Sequence, residues 1–419
     1  MTEGPTQGPG DNAPSTIAPG LLDIAREADE HLRRRLLPCW LSMEDPCGGC
    51  WTSVDARGGI HEHAAITLVF SARMAWPFAT AGGLYRDPAC ISGARRALDH
   101  LERFRDVCCG GFWAALDRAG APIDRSKHVY VQAFALFALA AAAAAGDRDA
   151  GSAAFAQFET IEDRACRDHK GLYVESFDGH WNETTNADHA LGDAPARRTA
   201  DTHLHLIEAY LELLRATGDE RVAQSLARLV DAFLGLFLST DGRYTYQKLA
   251  AERLRSGSII WPGHDIEASW LLDTAAGFVG DALATAGMRA RALELARGAI
   301  ASGMLTSGAW RERVAEAPTA PSRILWWAQA EAMPGLVALS LRWRGAEMAA
   351  RAVSTWTFVR RLILDPATGD WRLRVMETGE PDRFAPRIVH WKDPYHQARA
   401  CMEIAARVQR FAEGPPLAS

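Results

Sequence analysis

A glycine followed closely by an aromatic residue recurs six times along the chain at nearly even spacing. The copies are Gly49 (GGCWTSVD), Gly111 (GGFWAALD), Gly171 (GLYVESFD), Gly242 (GRYTYQ), Gly308 (GAWRER) and Gly369 (GDWRLR), at intervals of 62, 60, 71, 66 and 61 residues. The first two share GG-x-W-xxx-D, with another glycine three residues later. Such a period is the signature of a repeated supersecondary unit. Here each unit fits a pair of helices with its joining loop. Glycine supports the tight turn, and the aromatic residue is expected to cap one mouth of the assembly. Between the turns, apolar residues fall at helical spacing over 21–37, 129–145, 202–215, 221–238 and 282–301. Strand-like alternation is confined to short pieces, 244–249 and 371–376.

A repeated helical hairpin can stack as an open solenoid or close into a ring. A solenoid core has no use for buried polar residues. The inner-helix candidates here carry His, Glu, Arg and Trp among small residues, as in HLHLIEA and GHDIEASW. That polarity favours the closed form: an all-α (α/α)6 barrel of six helical hairpins, with short β-containing loops at one mouth. A single catalytic domain is expected over 20–412. A disordered tail is expected over 1–19, which has neither the basic nor the apolar stretch of a signal peptide, and a short tail over 413–419.

Composition narrows the function. Hydrophobic residues make up 48% of the 419, enough for a large core, and the net charge is −6 with no long basic run. That argues against nucleic acid or an anionic membrane as partner. The apolar run from Val129 to Gly146 is mostly Ala and contains Gln132, so it reads as a buried helix. The partner is then a small molecule, bound by a cytoplasmic monomer or homodimer. Of the eight Cys, only Cys47 and Cys50 form a C-x-x-C, one short of a four-Cys zinc site. Unpaired, mostly buried thiols in a reducing compartment are expected. No zincin, EF-hand, P-loop or G-x-G-x-x-G pattern is present, so neither metal nor cofactor is called for.

Five segments can carry chemistry. In DTHLHLIEA, His205 and Glu208 lie at i and i+3 and share a helix face, which His203 does not. In GHDIEASW, His264 and Glu267 have the same spacing. A carboxylate beside an imidazole fixes its tautomer and raises its basicity. In WKDPYHQAR, Pro394 precedes a helix start and puts His396 in its first turn. In WWAQAEA, Trp326 and Trp327 point to different faces, so one can line a sugar-binding cavity. In FSARMAW, Arg73 sits inside an apolar helix, costly unless paired, with a planar fork suited to an oxyanion or sugar hydroxyls.

GGFWAALDRAGAPIDRSKHVYVQAFAL, DTHLHLIEAY, GHDIEASWLL, WWAQAEA and WKDPYHQAR, in that order, resemble the successive motifs of the N-acylglucosamine 2-epimerases and their relatives. These include the cellobiose and mannose 2-epimerases and the mannose isomerases. The resemblance runs from about Leu21 to about Phe411. It implies an (α/α)6 barrel and cofactor-free epimerisation at C2 of a reducing-end aldose of mannose/glucose or cellobiose type, through an enediolate. It gives acid/base roles to His264 and His396, with His205 supporting, Glu267 orienting His264, and Arg73 steadying the enediolate oxygen. Tyr130, Trp326, Trp327 and Trp391 would line the sugar site, with Asp201 and Glu331 also binding substrate. The chain departs from the family at Asp201, where Asn is usual, which bears on local hydrogen bonds and substrate choice. The alternatives are an aldose–ketose isomerase of mannose–fructose type on the same barrel, a glycoside hydrolase using Asp201 and Glu267, and a sugar-binding protein without activity.

Overall fold

The computed structural model of the chain describes residues 17–18, 20–46, 48–166, 171–184, 198–250, 254–256, 259–279, 281–314, 323–343 and 345–413. The expected terminal tails fall almost wholly outside these residues. In chain order the helices are α1 (Leu21–His31), a π-helical turn (Leu32–Leu36), α2 (Leu37–Leu41), α3 (Leu68–Tyr85), α4 (Pro88–Glu102), α5 (Val129–Ala144), α6 (Arg148–Ala165) and α7 (Ala200–Thr217). There follow α8 (Glu220–Leu236), α9 (Pro262–Ala275), α10 (Ala282–Gly303), α11 (Trp326–Trp343), α12 (Ala346–Phe358), a second π-helical turn (Val359–Ile363) and α13 (Tyr395–Glu413).

The helices fall into two classes by burial. Helices α3, α5, α7, α9 and α11 are buried almost all round, as is the first half of α13. Helices α1, α4, α6, α8, α10 and α12 bury one stripe. Each buried helix packs on the next in the series, and α13 packs back on α3. Each one-sided helix covers its neighbour in pairs α3–α4, α5–α6, α7–α8, α9–α10 and α11–α12, while α1 covers α13. Side chains cap the covering helices: Asp87, Asp147, Asp219 and Asp281 each accept a first-turn N–H of α4, α6, α8 and α10. Among the described residues no helix is long and apolar enough to cross a membrane.

All six repeat glycines adopt positive φ, between 69° and 87°. A side chain at Gly171 would also place its Cβ 2.2 Å from the Arg228 carbonyl oxygen. Of the aromatic partners, Trp51, Trp113 and Tyr244 are half-buried, while four others do not cap an opening as expected. Phe112, Tyr173, Trp310 and Trp371 are buried wedges beneath their turns.

The fourth residue of several buried helices clamps one of these turns. Gln132 of α5 accepts from Phe112 N (3.0 Å) and donates to Phe112 O (2.8 Å). Gln329 of α11 does the same with Trp310, at 2.8 and 2.7 Å. His203 of α7 accepts from Tyr173 N through Nε2 (3.0 Å), and Asp265 of α9 accepts from Thr245 N through Oδ1 (2.9 Å).

Strands are short and gather at the N-terminal ends of the buried helices. In chain order they are β1 (Ile66–Thr67), β2 (Ala115–Leu116), β3 (Pro122–Asp124), β4 (Lys127–His128), β5 (Ser176–Phe177), β6 (Arg198–Thr199), β7 (Lys248–Ala250), β8 (Leu254–Ser256), β9 (Arg323–Leu325) and β10 (Arg374–Met376). They form antiparallel sheets β1-β2-β3, β4-β5, β6-β7-β8 and β9-β10. The alternation over 244–249 becomes strand only from Lys248. Before that, Thr245 is held by an isolated bridge to Leu238 and by Asp265. Likewise 371–376 is strand only from Arg374, because Trp371 bridges Leu364 instead.

Candidate active site

Position along each buried helix sorts the polar side chains by depth. The first three positions carry Tyr130 of α5, Asp201 of α7, His264 of α9, Trp326 and Trp327 of α11, and His396 of α13. One turn deeper lie Arg73 of α3, His205 of α7, Glu267 of α9, Glu331 of α11 and Arg399 of α13. One helix register therefore builds both layers at the strand-bearing end.

In the upper layer the His264 ring stacks on Trp261 (centroids 5.6 Å, 17°) and lies 4.8 Å from Trp327. His396 lies 5.9 Å from the same Trp327 ring and edge-on to Trp326 at 6.1 Å. Trp326 Nε1 donates to Gln397 Oε1 (3.0 Å) and Trp327 Nε1 to Glu312 Oε1 (3.2 Å). Asp201 Oδ1 approaches both His205 Nε2 (3.3 Å) and His264 Nε2 (3.7 Å). Burial works against its charge, but the two imidazoles outweigh that and hold the carboxyl well below the usual carboxylate range.

Arg73 Nη2 donates to Tyr130 OH at 2.5 Å, Nη1 lies 3.5 Å from Asp393 Oδ2, and the guanidinium carbon sits 4.2 Å from the Phe134 ring. Tyr130 stands edge-on to His205 at 5.0 Å and to Trp391 at 6.1 Å. His205 Nδ1 faces Glu208 Oε2 at 3.1 Å, the i, i+3 pairing read from the sequence. Burial pushes His205 down to about 4 against the pull of Asp201, so the imidazole is neutral at pH 7.

The lower layer turns on Arg399. Its guanidinium binds Glu208 and Glu267 and lies 2.6 Å from Glu331 Oε2, so carboxylates from three helices converge on one cation. Tyr395 OH donates to Glu208 Oε2 at 2.5 Å. Burial, with the two carboxyls facing each other, pushes Glu267 well above the carboxylate range, and burial does the same to Glu331. Glu331 Oε1 meets His396 Nδ1 at 2.7 Å. Burial, reinforced by Arg73, His205 and His264, holds His396 well below the usual imidazole value. His205, Glu208 and Glu267, and likewise Glu267, Glu331 and His396, present donor atoms within 4.8 Å of one another. A metal there would have to displace Arg399 from its carboxylates.

One expected pairing is wrong. Glu267 does not orient His264. The His264 ring, in the first turn of α9, stacks on Trp261 and lies tilted against Trp327, while Glu267 reaches down to Arg399. His264 Nδ1 instead faces Gln247 Oε1 at 3.3 Å. Otherwise the residues singled out in the sequence, Arg73, Tyr130, Asp201, His205, His264, Glu267, Trp326, Trp327, Glu331, Trp391 and His396, join one contact network, with Glu267 linked through Arg399. Sequence reasoning missed Arg399 and Gln247. Arg399 had a signal, being an arginine among buried residues in WKDPYHQAR, as Arg73 is in its own helix.

The chain matches the sequence model of the N-acylglucosamine 2-epimerase (GlcNAc 2-epimerase) family over residues 49–400. It is 29% identical to a cellobiose 2-epimerase of Bacteroides fragilis over 387 residues, which cover 91% of this chain and 98% of that one. The solved structure of cellobiose 2-epimerase from Spirochaeta thermophila superposes with a TM-score of 0.84 at 31% identity, covering 94% of this chain and 99% of that one. A D-mannose isomerase of Thermobifida fusca is 35% identical over 149 residues, 34% of each chain.

Proposed function

The chain belongs to the N-acylglucosamine 2-epimerase family, and on that footing we propose that it is an isomerase that epimerises C2 of a reducing-end aldose, of mannose/glucose or cellobiose type. The observation that carries the reading is the convergence of His264 and His396 from α9 and α13 on the face of Trp327. Indole faces suit sugar C–H faces, and two imidazoles from separate helices suit a proton taken from one face of C2 and returned to the other.

The chemistry follows from the open-chain sugar. One imidazole removes the C2 proton, and the C–H electron pair becomes the C1–C2 double bond as charge moves onto the C1 oxygen. The resulting enediolate needs donors already in place. Arg73, held by Tyr130 and Asp393, supplies a fixed positive charge beside the imidazoles. The second imidazole, protonated, delivers a proton to the opposite face of C2, and the double bond collapses back to the aldehyde. His205 supports from below. Tyr130, Asp201, Trp326, Trp327, Glu331 and Trp391 shape the sugar site, and the carboxylate of Asp201 sets local hydrogen bonds and substrate choice.

The fold reading that goes with this is an (α/α)6 barrel formed by a single domain over 20–412. It is supported by the return of α13 onto α3 and by one continuous hydrophobic core. None of the seven described cysteines forms a disulfide, which favours a reducing, cytoplasmic compartment, where we read the chain as a monomer or homodimer. Three of them, Cys90, Cys166 and Cys401, are buried.

The test is NMR of the purified chain in deuterated water with mannose, glucose, cellobiose, N-acetylglucosamine and lyxose. The expected result is deuterium at C2 together with the C2 epimer. A dominant ketose product overturns the epimerase reading in favour of the isomerase. Binding without exchange overturns enzymatic action altogether.

A further inference from the structure

Asp265 occupies the clamp position of α9, but as a carboxylate it cannot do what Gln132 and Gln329 do. Those amides accept the turn's N–H and return a bond to the carbonyl of the same residue. Asp265 Oδ1 accepts Thr245 N at 2.9 Å and, in place of a return bond, meets Thr245 Oγ1 at 2.6 Å. A backbone N–H can only donate. Burial pushes the Asp265 carboxyl up to about 7; ionised, or with its proton on Oδ2, it presents Oδ1 only as an acceptor, and the Thr245 hydroxyl then donates to it.

That commitment propagates. With its proton given to Asp265, Thr245 Oγ1 is the acceptor for Gln247, whose Nε2 lies 3.0 Å away. The amide then presents Oε1 to His264 Nδ1 at 3.3 Å. Gln247 is fixed in turn by its main chain, whose carbonyl accepts Ala200 N at the start of α7 (2.9 Å). A carbonyl oxygen can only accept, so the Nδ1 of His264 has to carry a proton.

We propose that Asp265, Thr245 and Gln247 are positioning residues forming a one-way hydrogen-bond chain that locks neutral His264 in its Nδ1–H tautomer, against the pull of the Asp201 carboxylate 3.7 Å from Nε2, so that proton exchange with the sugar takes place at Nε2. The proposal rests on the reading of His264 as an acid/base group. The chain does for His264 what the sequence assigned to Glu267. His396 is held differently. Its Nδ1 meets Glu331, a carboxyl that can either donate or accept, so nothing fixes its polarity. His264 thus takes and returns its proton at Nε2 alone, whereas His396 can exchange its role with the carboxyl behind it.

The test uses Thr245→Val in the full chain. Valine keeps the shape and the backbone N–H bond to Asp265, so the turn clamp survives and only the hydroxyl link is lost. Nitrogen-15 NMR of the histidines without substrate, at a pH where His264 is neutral, reads the tautomer directly. In the parent chain His264 is expected to show a protonated Nδ1 and a bare Nε2. In T245V the two signals should draw together, and kcat should fall about ten-fold with KM little changed, less than the full loss of an acid/base group. Thr245→Ser should restore both. Gln247→Met, which removes the carbonyl without touching the clamp, serves if T245V does not fold, and should mix the tautomers in the same way. A T245V chain with the parent's nitrogen signature overturns the proposal, as does a parent chain with its proton on Nε2. The nitrogen signature does not depend on turnover. If His264→Asn still epimerises, the functional reading falls while the tautomer result stands by itself.

Discussion

Asp201 Oδ1 lies 3.3 Å from His205 Nε2, one turn along α7. The same oxygen is 3.7 Å from His264 Nε2, so a single carboxylate addresses two imidazoles on neighbouring helices. Asparagine, the residue usual in the family here, would offer those imidazoles a dipole in place of a charge.

That difference predicts a pH effect. The Asp201 carboxylate favours the protonated form of His205, while burial, Arg73 and Arg399 oppose it, and the same oxygen approaches His264 Nε2. A histidine acting as base has to be neutral. In Asp201→Asn the imidazoles release their protons more readily, so the acid limb of kcat/KM should move to lower pH, by about one unit. A limb that stays in place would show that Asp201 does not govern the bases.

Replacing either His264 or His396 by Asn should abolish net epimerisation, a loss of about 10²- to 10⁴-fold. If the two imidazoles face opposite sides of C2, each variant should still exchange the C2 hydrogen of one epimer with deuterated water, and the two variants should prefer opposite epimers. Exchange of the same single epimer by both would point to one base serving both faces, as in an isomerase.

Arg73→Lys should not be conservative. The Arg73 fork holds Tyr130 with one arm and approaches Asp393 with the other. Lysine offers a point charge that cannot span both. The expected loss in kcat is about 100-fold, the size seen when one donor to a developing oxyanion is removed. Steady-state kinetics with wild-type turnover would remove Arg73 from the site.

Glu175 predicts how stability responds to pH. It is buried and accepts from Thr199 N (3.0 Å) and Thr202 Oγ1 (2.6 Å), yet burial pushes its carboxyl from 4.5 up to about 7. Between those values the folded chain keeps a proton that the unfolded chain has released. This group's contribution therefore falls as pH rises through that window and stays lower above it, by about 3 kcal/mol. Glutamine cannot ionise. The Tm of Glu175→Gln minus that of the parent should grow between pH 4.5 and 7, and a flat difference would refute the assignment.

Much of this was legible in the sequence because helical period and turn chemistry are local. The six glycines marked the turns, and the i, i+3 rule found His205 with Glu208. The same rule failed for His264 and Glu267, since spacing gives a shared face but not depth. His264 is claimed by Trp261 and Trp327 at the mouth, and Glu267 by Arg399 below. Gln247 was illegible for a related reason. It reaches His264 only because β7 pairs with β6 beside α9, a non-local fact. Strand alternation over 244–249 misled in part because Thr245 is tied to Asp265 instead of to a neighbouring strand.

The packing of α1 on α13 has a consequence for biosynthesis. Leu21, Ile24, Ala25 and Ala28 of α1 are buried in the finished molecule, yet α13, the helix that α1 chiefly covers, is made long after α1 leaves the ribosome. The apolar stripe of α1 stays uncovered through most of translation, the interval in which a growing chain is open to aggregation. The histidine on α13 arrives in the same late step. A nascent chain would thus gain its second imidazole only as the first helix finds its cover.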